Sequence, residues 1–175
     1  MNPLDLAKAG GLLFLAIVLQ ISIFSGIHIF GGRPDLLLVT LVSVALLRGS
    51  VFGAGAGFCA GLLYDMGIFG TLGFVALLYT LAGYWTGRYG ETTGRDRSHA
   101  PLLSVAVVSI VFAFAALMLH FVLGENAPAR EVLVDSLVPT VLLNLLITVP
   151  VYAAVRRVLP PADRAERAPA VRLLG

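Results

Sequence analysis

The stretch LLLVTLVSVALLRGSVFGAGAGFCAGLLY, residues 36–64, decides the fold, because it forms either one membrane helix or two. As one helix, its 29 residues would extend about 43 Å, well beyond a hydrocarbon layer of ~30 Å. One helix would also place Arg48 near mid-membrane, at a cost of roughly 2.5–3.5 kcal/mol. We therefore predict two helices separated by a tight turn at Arg48-Gly49-Ser50.

The rest of the chain is similarly poor in charge. Four further runs, at residues 9–32, 66–87, 98–124 and 136–155, contain no Asp, Glu, Lys or Arg, and each reaches the ~20 residues that a membrane-spanning helix needs. Only 13% of the 175 residues are charged, about half the share found in soluble domains, and the mean hydropathy is +0.94. This composition excludes a soluble globular enzyme and indicates an integral membrane protein.

The predicted fold class is an all-α integral membrane protein, a six-helix transmembrane bundle. Residues 1–158 form its single domain, and residues 159–175 form a cytoplasmic tail whose proline and alternating charges predict disorder. Residues 91–99 are expected to be a flexible cytoplasmic loop. The expected spans are residues 9–31, 34–48, 50–64, 67–88, 100–123 and 135–156.

Basic residues set the expected orientation, because Lys and Arg accumulate in cytoplasmic loops. With six spans and both termini inside, the outer side receives only Arg33 and Arg130, and every other basic residue is inside. A five-span topology with residues 36–64 fused gives a nearly equal bias, so helix length and Arg48 decide between the two. Both topologies place the C-terminus in the cytoplasm.

Four glycines spaced four residues apart follow the predicted turn: Gly49, Gly53, Gly57 and Gly61. Steps of four residues stay on one helix face, so they form a face without side chains about 18 Å long. Small residues let helix backbones approach closely in lipid. Two interpretations remain open, which are packing inside the chain's own bundle and binding of a partner's helix.

A few polar residues stand within or beside the apolar runs. Asp35 and Asp65 lie near the outer ends of their spans, where they are solvated, cap a helix, or orient a loop or partner. Asn144 lies inside the last span with a threonine one turn away on each side, and Gln20 lies inside the first. Such side chains usually hydrogen-bond to neighbouring helices for ~0.6 kcal/mol each, so we interpret them as structural.

The residues offer no recognisable reaction chemistry. No nucleophile with a neighbouring base, no phosphate-binding loop and no metal-ligand spacing is present, so we expect no enzyme, cofactor or metal site. Cys59 is the single cysteine, which excludes an intrachain disulfide.

Several motifs together resemble one known family. They are GRPDLLL at residues 32–38, ALLRG at 45–49 and GAGAGFCAGLLYD at 53–65, continued by Tyr79 and by Gly83-Tyr84. Over about residues 10–158 the chain resembles the rod-shape-determining protein MreD family. The residues at family motif positions are Pro34, Asp35, Asp65, Asn144 and Pro150, together with the glycine face.

The resemblance implies a non-enzymatic scaffold subunit of the bacterial cell-elongation machinery in the cytoplasmic membrane. MreC is the implied direct partner, and MreB filaments, RodA and a transpeptidase penicillin-binding protein are reached through the complex. Membrane lipid is the surrounding partner, and no nucleic acid is expected. The family is similar in fold to the substrate-binding subunits of energy-coupling-factor transporters, which supplies an alternative function in vitamin transport. A membrane-anchored assembly factor of unknown pathway is the third hypothesis.

Overall fold

The computed structural model describes residues 3–26, 29, 31–68, 73–93, 99–122 and 137–159. These residues form six α-helices and one short 3-10 turn, Phe24–Gly26. The tail beyond residue 159 and the segment before the last helix lie outside the described residues. The helices are α1 (Pro3–Ser22), α2 (Leu36–Arg48), α3 (Ser50–Ile68), α4 (Phe74–Thr93), α5 (Ala100–Val122) and α6 (Val138–Val158).

The chain breaks between α2 and α3 at a single residue, Gly49. Its φ of 96° lies in the left-handed region that glycine adopts without steric cost, and its backbone N–H still donates to the carbonyl of Ala45 at 2.8 Å. The prediction of two helices rather than one is therefore confirmed.

Three helices, α1, α3 and α6, are long and apolar enough to cross a membrane, and α2 and residues Ala100–Ala115 of α5 are shorter apolar helices. Large apolar side chains such as Phe14, Leu77 and Leu146 cover the outside of the bundle. These are the features of a multi-pass membrane protein.

Helix ends differ from the expected spans by four residues or more in α1, α3 and α4: α3 continues to Ile68 instead of residue 64, and α4 begins at Phe74 instead of residue 67. The first helix begins at Pro3 and ends at Ser22, earlier than the span expected at residues 9–31. The fourth helix continues to Thr93, so the first residues of the expected cytoplasmic loop are helical.

The shortest helix, α2, is the centre of the bundle. It contacts each of the other five helices, and every residue from 37 to 47 is buried. A helix that is apolar all round is one that is enclosed by protein or lipid, and here the neighbours are helices. α2 has 13 residues and is about 20 Å long, and its buried sides contact the other helices instead of lipid.

The glycine face of α3 lies directly against α4. A Cβ atom added at any of three of these glycines would lie closer than 3.0 Å to the backbone of α4, so the two backbones are in contact. The contacting pairs are Gly53 with Gly83, Gly57 with Tyr79, and Gly61 with Ala76. The structure thus places this face inside the bundle, and a partner's helix would have to bind another surface.

Gly55 lies on a different face of α3. A Cβ added there would have no atom within 4 Å outside its own helix neighbours, which is the opposite of Gly57. The two residues, half a turn apart on one helix, therefore separate the effect of close packing from that of helix propensity.

We predict that Gly57→Ala lowers the free energy of unfolding by about 1–3 kcal/mol, because the new methyl group forces α3 away from the carbonyl of Tyr79. The matched control, Gly55→Ala, should be neutral or stabilising by up to about 1 kcal/mol, as expected from helix propensity. The measurement is SDS unfolding of the detergent-solubilised protein followed by circular dichroism. Equal midpoints for the two variants would contradict the contact.

Candidate functional site: polar helix ends and a lateral groove

Asp35 stands at the N-terminus of the central helix and caps it. Its carboxylate accepts from the backbone N–H of Leu38 at 2.8 Å, and the hydroxyl of Tyr79 donates to the same carboxylate at 3.0 Å. Tyr79 comes from α4 and is 1% exposed. The carboxylate therefore links the start of α2 to α4.

The last helix holds the backbone just before α2. Thr140 Oγ1 accepts from the N–H of Arg33 at 3.1 Å, and Asn144 Oδ1 accepts from the N–H of Asp35 at 2.7 Å. The amide of Asn144 donates in turn to Ser109 Oγ of α5 at 2.9 Å. One buried amide thus connects α6, α5 and the start of α2.

The first helix holds the same segment from the other side through Gln20. Its Nε2 donates to the carbonyl of Pro34 at 3.2 Å, and its Oε1 accepts from the N–H of Leu36 at 2.8 Å. We call the side chains of Gln20, Asp35, Tyr79, Ser109 and Asn144 the Asp35 cluster, and the side of the bundle on which it lies the Asp35 end.

Two carboxylates cap the antiparallel helices α3 and α4 reciprocally. Asp65, near the end of α3 and 1% exposed, accepts from the N–H groups of Gly73 and Ala76 at the start of α4, at 2.9 and 3.3 Å. Glu91, near the end of α4, accepts from the N–H of Ser50 at the start of α3, at 2.9 Å. Each helix therefore supplies the negative charge that the other's N-terminus favours.

The opposite side of the bundle, the Arg48 end, carries most of the basic residues that the structure describes. Arg48 pairs there with Asp5 of α1 at 3.1 Å, and its side chain is 6% exposed. The described basic residues at this end are Lys8, Arg48, Arg88, Arg156 and Arg157, against the acidic Asp5 and Glu91. At the Asp35 end the described charges are Arg33, Asp35 and Asp65, so the two ends have opposite balances.

The structure brings some of the sequence-derived site residues together and separates others. Asp35 and Asn144 meet in the Asp35 cluster, and the backbone carbonyl of Pro34 accepts from Gln20 of that cluster. Asp65 instead caps α4 and is buried. Pro150 lies inside α6 at an exposed position. Sequence reasoning missed the roles of Tyr79, Ser109, Asp5 and Glu91, whose polar groups carry no spacing signal along the chain.

A lateral groove of about 640 Å³ opens between α1 and α3. Its walls include Gly10 and Phe14 of α1 and Gly55 and Cys59 of α3, and Arg48 lies at one end. The groove is otherwise apolar. Within the described residues, no group of three or more His, Cys, Asp or Glu side chains is placed to hold a metal ion.

We predict that Tyr79→Phe lowers the free energy of unfolding by about 1–3 kcal/mol, because the buried carboxylate of Asp35 loses the hydroxyl that donates to it. Tyr84→Phe is the matched control on the same helix, since Tyr84 is 41% exposed and should change stability by less than about 0.5 kcal/mol. SDS unfolding by circular dichroism measures both, and equal losses would remove the Asp35 cluster as a source of stability.

We predict that the two reciprocal caps, at opposite ends of the α3–α4 pair, contribute independently to the free energy of unfolding. Asp65→Ala and Glu91→Ala should each cost about 0.5–2 kcal/mol, because backbone N–H groups lose their acceptor. The carboxylates lie at opposite ends of helices about 30 Å long, so the double variant should show the sum within about 0.5 kcal/mol. A clearly smaller loss in the double variant would mean that the caps do not act separately.

Comparison with known proteins places this sequence in a family. The sequence model described as rod shape-determining protein MreD matches residues 10–160, which contain the Asp35 cluster, the glycine face and both caps. A curated relative from Streptococcus pneumoniae, the cell shape-determining protein MreD, is 32% identical over 90 residues. That alignment covers 51% of this chain and 54% of the relative, about half of each.

No solved structure matches the chain. The family match nevertheless covers most of the sequence and nearly all of the residues that form the bundle, and the motifs that carry the resemblance are those that tie the helices together. The chain belongs to the rod shape-determining protein MreD family.

Proposed function

We propose that the protein is a non-enzymatic membrane scaffold of the bacterial cell-elongation machinery, with a role in determining cell shape. Its direct partner is MreC. Through that complex it helps couple MreB filaments to peptidoglycan synthesis by RodA and a transpeptidase penicillin-binding protein. The protein contributes binding surfaces and positions its partners, and the chemistry belongs to them.

The observation that carries this proposal is the family match over residues 10–160. The relative's name, cell shape-determining protein, supports the same process. The arrangement of polar groups supports a scaffold, because the Asp35 cluster and the two caps form hydrogen bonds that hold the helices together.

The charge balance supports a location in the cytoplasmic membrane with both termini inside. The Arg48 end, where α1 begins and α6 ends, has five basic and two acidic residues among those described, and basic residues accumulate on the cytoplasmic side. Under this orientation the Asp35 end faces outward. The six helices then cross the membrane alternately, with α2 enclosed by the others.

The similarity in fold to the substrate-binding subunits of energy-coupling-factor transporters stays a prediction. The family match does not support the alternative function in vitamin capture. Identification of the proteins that co-purify with this one distinguishes a scaffold from a transporter subunit. A general assembly factor of another pathway is the hypothesis that remains if the expected partner is absent.

We expect the tagged protein, extracted from its native membranes in mild detergent, to co-purify with MreC as identified by mass spectrometry. An unrelated tagged multi-pass protein at the same membrane level is the control. Gly57→Leu, which disrupts the α3–α4 contact, should lose the partner together with stability, whereas Tyr84→Phe should retain both. Purification of the intact, folded protein without MreC would contradict the proposal.

A further inference from the structure

The basic residues at the Arg48 end differ in whether an acidic side chain pairs with them. Arg48 pairs with Asp5 at 3.1 Å, and Arg88 pairs with Glu91, three residues along its own helix, at 3.7 Å. Asp5 and Glu91 are also the acidic residues that the structure describes at this end. Both are therefore already engaged by a basic neighbour.

The remaining basic residues described at this end are Lys8 of α1 and Arg156 and Arg157 of α6. All three are exposed, and within the described part of the chain no acidic side chain pairs with any of them. Their charges are thus available to a ligand, unlike that of Arg48, whose side chain is 6% exposed.

One buried cluster brings the start of α1 and the end of α6 together. Leu12 of α1 and Tyr152 of α6 are partly buried and pack against it. The cluster itself consists of residues from α1, α2 and α6, namely Ala9, Val44, Leu47, Val155 and Leu159. The two helix ends that carry the available cations therefore meet over the same apolar contact.

Helix periodicity places Lys8 and Arg156 beside this cluster. Residues four apart share a helix face, so Lys8 lies on the face of Leu12, and Arg156 lies on the face of Tyr152. Each cation is about one turn closer to the end of its helix than the residue that packs against the cluster. Two cations from different helices therefore flank one apolar contact.

The same two faces are apolar further from the end of the bundle. Leu15 is seven residues from Lys8 and is 55% exposed. Val149, likewise seven residues from Arg156, is 63% exposed. Seven residues are close to two helical turns, so each cation has an exposed apolar side chain below it on its own face. Such a surface matches an amphiphile with an anionic head and apolar chains.

The C-terminal segment of the chain is a poor match for these cations. Residues 160–175 contain three arginines and two acidic residues, so the segment adds positive charge instead of neutralising it. Basic sites between membrane helices on the cytoplasmic side are known to bind the headgroups of anionic lipids. Charge complementarity therefore favours a lipid over the chain's own tail.

We propose that Lys8 and Arg156, with Arg157 beside them, form a binding site for the phosphate of an anionic phospholipid at the junction of α1 and α6. Cations from two helices hold the phosphate, and the acyl chains lie along the exposed apolar sides of these helices. The site is independent of the proposed function, because it requires the protein and the lipid and no partner protein.

Native mass spectrometry of the purified full-length protein, titrated with phosphatidylglycerol and with phosphatidylcholine of identical acyl chains, tests the site. We expect the first phosphatidylglycerol to bind about twentyfold more tightly than phosphatidylcholine, and Lys8→Gln and Arg156→Gln each to lower this preference about fivefold. Arg88→Gln is the matched control, because it removes the same charge from the same end but from α4, and it should leave the preference unchanged.

The three substituted side chains are exposed, so the variants should fold, and circular dichroism checks this. Equal affinities of the unmodified protein for the two lipids would overturn the proposal. An equal loss of preference in Arg88→Gln and Arg156→Gln would also overturn it, because the charge of the whole end would then select the lipid. Displacement of the lipid by an equal concentration of glycerol 3-phosphate would assign the cations to a soluble phosphate compound instead.

Discussion

The structure depends on the complete enclosure of a short helix. Since α2 is buried along residues 37–47, its unpaired terminal backbone groups are shielded from bulk water and must be satisfied by protein. At its start, the N–H groups of Asp35, Leu36 and Leu38 are paired with Asn144, Gln20 and the side chain of Asp35. Two other helices, α6 and α1, thus supply acceptors to this end, and Tyr79 of α4 donates to the Asp35 carboxylate, which fixes where these three helices lie around α2.

In the α3–α4 pair, the unpaired backbone groups at the start of each helix are satisfied by a carboxylate of the other helix. The two helices touch along their backbones, and such contact needs glycine because a single methyl group would overlap the opposing carbonyl. Close contact also brings each helix's last turn near the other's first turn, where Asp65 and Glu91 accept from N–H groups that have no partner within their own helix. The glycines and the two carboxylates are therefore parts of one arrangement, although they are scattered over more than forty residues.

The sequence predicts where the helices lie along the chain better than it predicts which side chains form hydrogen bonds between them. The break at Gly49 follows from helix length and from the cost of burying Arg48, both of which are local properties. The polar character of Asn144 and Gln20 on apolar helices likewise predicts hydrogen bonds between helices. The partner of Asn144 does not follow, because nothing in the sequence around Ser109 marks it before the helices pack. The same holds for Tyr79, whose hydroxyl donates to Asp35. Asp65 shows the limit most clearly, since a carboxylate at a helix end suggests solvent, and its burial depends on where the next helix begins.

The residues at the family motif positions hold the bundle together, so partner proteins bind at other surfaces. Asp35, Asp65 and the glycine face are used up in internal contacts, so substitutions there report on folding before they report on assembly. Surfaces left for binding are those with open space, and the groove beside Gly55 is one of them. Among the described residues that line the groove, Arg48 alone is charged, and Asp5 neutralises it in an ion pair, so the groove is apolar along its length. A bundle that uses its polar motif residues for contacts between its own helices thus leaves mainly apolar side chains on its sides for binding.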